Sequence, residues 1–305
     1  DSAYTSSWAR SLNDIRVDES ADSKASGDAA QNMEESSTAA ADTGMASGSY
    51  SETNVRQEGV DEGDTAKTDG TYLYVLKDKS DQIAIIDTRD NRMKQTATIT
   101  VEDVSEIQEM YLDIERNQLI AVCDGYVGGK WNDDDYGYGQ RANTTAVTYD
   151  ISDRENPKEV GRVSQSGYYN SSRIADGYLY LFSDYYVTLD GITAKNPKSY
   201  IPLVNDNLIK ETDICLPSIS KADMYSIITS VSLENPNETA HSKALLADGG
   251  NLYVSNDNIY FYENVWQYSG KDVTTIRKVS YESGKLTAGA QCKIDGYIND
   301  SFSID

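Results

Sequence analysis

The sequence predicts an all-β fold made of repeated four-stranded antiparallel sheets, which is the architecture of a β-propeller. One pattern recurs four times: a polar strand, a turn containing Asp, Asn or Gly, and a strand that opens with Leu or Ile. The four copies begin at Lys67, Asp113, Arg173 and Val254. No helical period interrupts the chain after residue 60. Recurrence of one small antiparallel unit is typical of propeller blades.

Each copy continues into an apolar third strand and a more polar fourth strand, separated by turns rich in Asp, Asn, Pro or Gly. The third strands begin at Ile83, Thr144, Tyr225 and Thr274. The fourth strands begin at Lys94, Lys158, His241 (a weaker pattern) and Leu286. We therefore expect four four-stranded blades. A β-sandwich is the main alternative, but the fourfold recurrence of one strand pattern argues against it.

Equivalent positions in the four copies predict which side chains lie between blades. These positions are Leu73, Leu119, Leu179 and Ile259. Their unequal spacing indicates two insertions, residues 125–141 and approximately 190–223. The last six residues, 300–305, match the first strand of a fifth blade, with Phe302 on its innermost strand.

Composition divides the chain into a tether, residues 1–51, and the propeller, residues 52–305. The first part is rich in Ser, Ala, Asp, Glu and Gly. It has too few apolar residues to offset the entropy of ordering it, so we expect disorder there. The whole chain carries 50 acidic and 27 basic residues, a formal net charge of −23. Such a charge repels nucleic acid and anionic lipid surfaces.

The stretch that opens the folded part carries a family resemblance. Residues 52–76 read ETNVRQEGVDEGDTAKTDGTYLYVL, and they resemble the opening signature of secreted bacterial and archaeal proteins with a β-propeller domain distantly related to WD40 repeats. Tyr200-Ile201-Pro202 and the stretch from Asn251 to Tyr260 are similar as well. The family usually has Ala-Asp-Ile-Val where this chain has Gly63-Asp64-Thr65-Ala66, a departure in the first strand. The resemblance implies fold and export, with no established activity or catalytic residues.

The resemblance also implies that further blades follow in related proteins. We therefore expect the present chain to form the front half of a longer propeller, with an open ring. An extracellular or cell-surface location follows from the same resemblance, with membrane attachment only through a tether outside the chain.

The insertion at residues 125–141 is the favoured ligand site. Loops that interrupt a rigid scaffold often carry binding groups. Aromatic side chains there can stack on the apolar faces of sugars, and neighbouring carboxylates can bind hydroxyl groups or Ca²⁺. The ligand candidates are Trp131, Tyr136 and Tyr138, and the speculative calcium ligands are Asp133, Asp134 and Asp135. The loop lacks the Glu that closes an EF-hand, and a solvated acidic loop is the alternative interpretation.

Other residues offer little chemistry. His241 is the only histidine, which argues against His-dependent nucleophilic catalysis, and its polar surroundings predict a solvated surface residue. Cys123 is expected to be buried, Cys215 to lie in the long insertion and Cys292 in an outer strand, all three as free thiols rather than as part of a disulfide. Asp61, Glu62 and Asp64 form a second acidic cluster, expected in the turn leading into the first blade.

The sequence thus favours an exported, surface-tethered scaffold that binds an unknown protein or glycan without catalysis. No cofactor is expected beyond possible Ca²⁺. The alternative is a carboxylate-based glycan hydrolase with its site over the propeller channel, a mechanism that needs two carboxylates set roughly 5–10 Å apart.

Overall fold

The computed structural model describes residues 59–78, 80–89, 93–126, 142–187, 195–216, 222–247, 250–265 and 272–299. These residues fold mainly into antiparallel strands, and the helical elements among them are short 3-10 turns such as Pro197–Ser199 and Glu211–Asp213. Within these ranges no helix has the length and apolar character needed to cross a bilayer. The predicted tether and the predicted Phe302 strand lie outside the described residues.

In the described part of the chain there are four sheets, and a four-stranded antiparallel meander runs through each. The first sheet contains β1 (Ala66–Thr68), β2 (Tyr72–Leu76), β3 (Gln82–Asp87) and β4 (Lys94–Thr100). The second contains β5 (Glu106–Asp113), β6 (Gln118–Tyr126), β7 (Ala142–Asp150) and β8 (Lys158–Ser166). The third contains β9 (Tyr168–Ala175), β10 (Tyr178–Tyr186), β14 (Met224–Ser232) and β15 (Thr239–Ala247). The fourth contains β16 (Asn251–Val254), β17 (Asn258–Val265), β18 (Val273–Glu282) and β19 (Lys285–Asp295).

Short strands in the second insertion extend two of these sheets. They are β11 (Leu203–Val204), β12 (Asn207–Leu208) and β13 (Ile214–Cys215). β11 pairs with β8, where Val204 faces Gln165, and β13 runs parallel to β15. One insertion therefore covers the outer edges of two neighbouring sheets, and covering an edge removes a row of unpaired backbone groups.

The turn between β1 and β2 follows the predicted Asp-Gly chemistry. Gly70 has a φ of 87°, which glycine adopts without a Cβ clash. One Asp69 carboxylate oxygen accepts hydrogen bonds from the backbone N–H of Thr71 at 3.0 Å and of Tyr72 at 2.7 Å. The carboxylate thus replaces backbone partners that the tight turn would otherwise leave unpaired.

Apolar side chains on both faces of the sheets form a separate cluster between each neighbouring pair. Along β6, Leu119 packs in the cluster with Tyr74 and Ile85 of the first sheet. The next residue, Ile120, packs in the cluster with Leu179 of the third sheet. The alternation of a strand therefore buries both faces of the second sheet, as expected of a blade between two others.

Leu73 corrects one prediction about this core. Leu119, Leu179 and Ile259 are at most 1% exposed, as predicted, but Leu73 is only half-buried. Leu73 is less buried because the side chain at this position of the repeat points toward the sheet that precedes its own in the chain. In the described part of the chain no sheet precedes the first one. The neighbouring Tyr74 faces the second sheet and is 0% exposed.

The segment from Val60 to Asp64, here called the inner strap, corrects a second prediction. It was expected to be a turn, but it lies across the first strands of the second and third sheets. Asp61 exchanges backbone hydrogen bonds of 2.8 and 3.0 Å with Ile174 on β9, and Asp64 exchanges bonds of 3.1 and 3.0 Å with Met110 on β5. Two otherwise free sheet edges are thereby joined by the same five residues.

Candidate functional site

Of the predicted ligand loop, Gly125 and Tyr126 belong to the end of β6, and residues 127–141 lie outside the described residues. The undescribed part includes the predicted ligand residues Trp131, Asp133, Asp134, Asp135, Tyr136 and Tyr138. Its attachment points are described: β6 ends at Tyr126, and β7 begins at Ala142, opposite Tyr126 in the ladder. The second insertion leaves the third sheet at the corresponding place, after Tyr186 at the end of β10. Both insertions are therefore connected to the same end of the second and third sheets.

Three tyrosines mark this end: Tyr126, Tyr168 at the start of β9, and Tyr186. Tyr168 lies directly opposite Asp184 across the β9–β10 ladder, and Tyr186 follows Asp184 by two residues. Tyr168, Asp184 and Tyr186 consequently share one face. The Tyr186 side chain is well placed to meet a ligand, since the residue is 50% exposed. We call these tyrosines, with Asp124 and Asp184, the tyrosine–carboxylate end.

Asp124 connects the second sheet to the third. Its carboxylate accepts a hydrogen bond from Gln108 Nε2 at 3.0 Å and another from the backbone N–H of Tyr169 at 2.8 Å. Burial raises the pKa of Asp124, the Tyr169 N–H lowers it in part, and the negative charge of Glu106 raises it further. The carboxylate fixes the start of β9 against the end of β6.

Asp184 occupies the equivalent position in the third sheet. It accepts hydrogen bonds from Asn170 Nδ2 at 2.6 Å and from Ser226 Oγ at 3.1 Å. Asn170 Nδ2 also lies 2.6 Å from the carbonyl oxygen of Gly250, just before the fourth sheet. Burial raises the pKa of Asp184, and the hydrogen bonds from Asn170 and Ser226 offset part of the rise.

Sequence reasoning missed these acids, although a signal was present. Asp124, Asp184 and Asn264 each stand five residues after the aliphatic residue that opens the second strand, Leu119, Leu179 or Ile259. The Asn264 side chain repeats the same kind of link, accepting from the N–H of Ile298 at 3.2 Å and donating to its carbonyl at 2.8 Å. A repeated Asp or Asn at fixed spacing could have predicted that these side chains share a structural role at this end of the sheets.

The electrostatic environment of the tyrosines is acidic. Burial raises the pKa of Tyr168, and the nearby Tyr126, Asp124 and Tyr186 raise it further. Burial also raises the pKa of Tyr186, to which Asp184 and Asp223 add. Among the described residues, the ionised groups that act on Tyr168 and Tyr186 are therefore carboxylates.

His241 differs from its prediction as a solvated residue. It lies on β15 with its side chain 26% exposed. Its Nε2 is 3.2 Å from Asp213 Oδ1, and its Nδ1 accepts a hydrogen bond of 2.9 Å from the backbone N–H of Leu286 in the fourth sheet. Because an accepting Nδ1 carries no proton, the neutral ring is the Nε2–H tautomer. The histidine is a structural link between sheets, with no nitrogen left to serve as a base.

The three cysteines are unpaired, as predicted, with Cys123 buried, Cys215 half-buried and Cys292 exposed. Burial raises the pKa of the Cys123 and Cys215 thiols. Since the thiolate is the reactive form, these two side chains are poor nucleophiles. Within the described ranges, no group of three or more His, Cys, Asp and Glu side chains is placed to hold a metal ion.

Another polar cluster lies beneath the inner strap. The hydroxyl groups of Tyr111 and Ser172 are hydrogen-bonded to each other and to the carboxylate of Glu109. Ser172 is 0% exposed, and Gly63 of the strap packs against Glu109 so closely that a Cβ there would overlap the carboxylate. A substrate cannot reach this serine, so the cluster belongs to the interior.

Two surface grooves recur between sheets and are explained by the repeat. One, of about 590 Å³, lies where the β14–β15 loop meets β8, and its lining includes Val160, Gln118 and Pro236. The other, of about 410 Å³, lies where the β7–β8 loop meets β4, and its lining includes Thr98 and Pro157. Grooves at equivalent sites of successive sheets follow from blade packing, which distinguishes them from the tyrosine–carboxylate end.

Sheets of one repeated pattern, packed through apolar clusters and fastened at one end by acidic side chains, define a β-propeller. The model of the beta propeller domain family matches residues 50–305, and the chain belongs to that family.

A relative in this comparison is the uncharacterized protein MJ1554 of Methanocaldococcus jannaschii, 25% identical over 224 residues. The match covers 71% of this chain, and the chain spans 29% of the length of that relative.

Two solved structures are also similar. A functionally unknown protein from Desulfotomaculum acetoxidans is 11% identical, with 75% of this chain and 69% of that chain covered and a TM-score of 0.27. A protein from Lactobacillus plantarum is 12% identical, with 73% and 68% covered and a TM-score of 0.24. These TM-scores are too low to support a conclusion from either structure.

Proposed function

We propose that this protein is an exported, surface-tethered, non-catalytic binding module whose ligand docks at the tyrosine–carboxylate end. The observation that carries the proposal is the convergence of two long insertions and three tyrosines on one end of a rigid pair of sheets. Rigid strands that present loops and aromatic rings are a common arrangement for recognition. The unknown ligand is a protein or a glycan.

The roles of Asp124 and Asp184 favour binding over hydrolysis. A general acid of a glycan hydrolase benefits from a raised pKa, which both carboxyl groups have. Asp124, however, accepts a hydrogen bond from Tyr169 that ties the second sheet to the third, and Asp184 orients Asn170, which donates to Gly250 just before the fourth sheet. A residue that moves a proton in every turnover would break and remake such links, so their positions suit a structural role.

Glycan and peptide arrays probed with the full-length protein test the proposal. We expect ligands whose binding is lost in Tyr186→Ala and retained in Tyr260→Ala, a matched substitution in the fourth sheet. Trp131→Ala and Asp133→Ala, assayed by calorimetry with the same ligands and with Ca²⁺, report the contribution of the predicted loop. If none of the array ligands depends on Tyr186 for binding, the proposal is overturned.

An assay for reducing ends released from the glycans that bind tests the alternative. Hydrolysis that is abolished by Asp124→Asn or Asp184→Asn in folded protein would establish a glycan hydrolase instead. We expect bound glycans to be recovered intact.

A further inference from the structure

We propose that the tyrosine–carboxylate end takes a cationic nitrogen group, an alkylammonium or guanidinium carried either by a small amine or by a basic peptide. This inference rests on the proposed binding function and adds the chemical class of the ligand to it. It is carried by the arrangement of rings and by the sign of the charges around them.

The rings are placed to receive a cation. The faces of tyrosine rings attract ammonium and guanidinium groups, most strongly when several rings surround the cation. Tyr168 and Tyr186 share one face at the end of the third sheet, and Asp184 is between them in the ladder. The half-exposed Tyr186 leaves part of this face open to solvent.

Among the described residues, the charges beside Tyr186 are those of carboxylates. Asp184 is buried next to it, and Asp223 is exposed at the start of the strand that pairs with Tyr186. The Asp223 carbonyl accepts the N–H of Val187 at 2.7 Å, which fixes its backbone beside the tyrosine. A cation at this place gains from two carboxylates, whereas an anionic ligand would be repelled by both.

The same chain shows this pairing elsewhere, using its own side chains. The guanidinium groups of Arg89 and Arg154 lie over the ring of Tyr72, at 5.2 and 5.8 Å from its centroid. Among the described residues, no Lys or Arg charge acts on Tyr186. The formal net charge of −23 extends the attraction for cations over the whole molecule.

The experiment is a calorimetric titration of the full-length protein at low salt. Choline and agmatine represent small amines, pentalysine and pentaarginine represent basic peptides, and a neutral oligosaccharide and pentaglutamate are the controls. The variants are Tyr186→Ala, Tyr186→Phe, Asp223→Asn and Tyr260→Ala. The three tyrosine substitutions leave the net charge unchanged, so they separate the site from general attraction to an acidic protein.

We expect at least one cationic probe to bind and pentaglutamate to give no heat. Tyr186→Ala should weaken binding by about fivefold or more, whereas Tyr186→Phe retains it because the ring remains. Asp223→Asn and added salt should both weaken binding, since the carboxylate is exposed and screened by ions. If only the small amines, or only the basic peptides, show Tyr186-dependent binding, that result identifies the source of the cation.

Other outcomes would overturn the inference. Equal cation binding by the wild type, Tyr186→Ala and Tyr260→Ala would show attraction to net charge alone. Tyr186-dependent binding of the neutral oligosaccharide without cation binding would refute the cationic ligand while upholding the binding function. If neither the titrations nor the arrays show binding that depends on Tyr186, both the cationic ligand and the proposed binding function are refuted.

Discussion

At the scale of single residues, His241 shows that a partner far away in the sequence can make a prediction from the neighbouring residues wrong. The surroundings Glu-Thr-Ala-His-Ser are polar, and nothing within a few residues predicts a partner. Its two ring nitrogens meet Asp213 and Leu286, which are 28 and 45 residues away. The Leu286 contact arises from the packing of the third sheet on the fourth, and the Asp213 contact arises where the second insertion returns to pair with β15. Local patterns carry no information about either.

We expect His241→Ala to lower the free energy of unfolding by about 1–3 kcal/mol, because the backbone N–H of Leu286 loses its acceptor. His241→Asn should restore part of this loss, since the Asn carbonyl oxygen can accept in place of Nδ1. Urea unfolding measures both variants. Nitrogen-15 NMR of the single histidine should show the neutral ring as the Nε2–H tautomer, and an Nδ1–H neutral ring would contradict the structure.

Asp69 gives a second prediction at the residue scale, this time for pH. Burial alone would raise the pKa of its carboxyl group. Hydrogen bonds from Thr71, Tyr72 and Arg154 outweigh burial and hold the pKa below the ordinary value. A carboxyl whose folded pKa is depressed stabilises the protein above its unfolded pKa, and the contribution disappears as the pH falls through the folded pKa.

Arg154→Ala tests this contribution. Arg154 Nη2 lies 3.1 Å from Asp69 Oδ2, and its Nη1 donates to Asn117 Oδ1 at 2.9 Å. We expect the variant to lose about 1–3 kcal/mol at neutral pH, because a nearly buried carboxylate loses a charged partner. The difference from wild type should shrink below about pH 4, where Asp69 becomes protonated in the unfolded chain. A difference independent of pH would show that the ion pair is not its cause.

At the scale of elements, strands and turns were predictable and edge pairings were not. Turns containing Asp, Asn or Gly and the apolar alternation located β2, β6, β10 and β17 because both signals are local. The inner strap and β11–β13 are too short to carry a period, and each pairs with a strand far away in sequence. Which strands these short segments pair with depends on how the completed sheets are placed in the fold.

The inner strap yields a prediction for Gly63. An added Cβ would overlap the side chain of Glu109, and the strap is held on both sides of this point by backbone bonds. We expect Gly63→Ala to cost about 1–3 kcal/mol of stability, the usual range for overpacking. In a Glu109→Ala background the additional cost should be much smaller, and a double-mutant cycle measures the difference. An unchanged cost in that background would place the strain elsewhere.

At the scale of the whole molecule, the repeat sets the binding end. An Asp or Asn recurs at the same place in the second strand of the second, third and fourth sheets, at Asp124, Asp184 and Asn264. The two long insertions interrupt the repeat at the second and third sheets. The strands that lead into them, β6 and β10, end in the tyrosines Tyr126 and Tyr186. The sequence located the first insertion, but it could not reveal that Tyr168, 42 residues after Tyr126, would stand at the same end.

Hydrogen exchange of the full-length protein, measured with and without the tightest-binding array ligand, tests the location of the site most directly. We predict slower exchange at the strand ends 124–126, 168–170 and 184–187 when the ligand is bound, with the rest of each strand unchanged. Protection confined to the recurrent grooves, at residues 97–100 with 155–158 or at 116–118 with 234–238, would contradict a binding site at the tyrosine–carboxylate end.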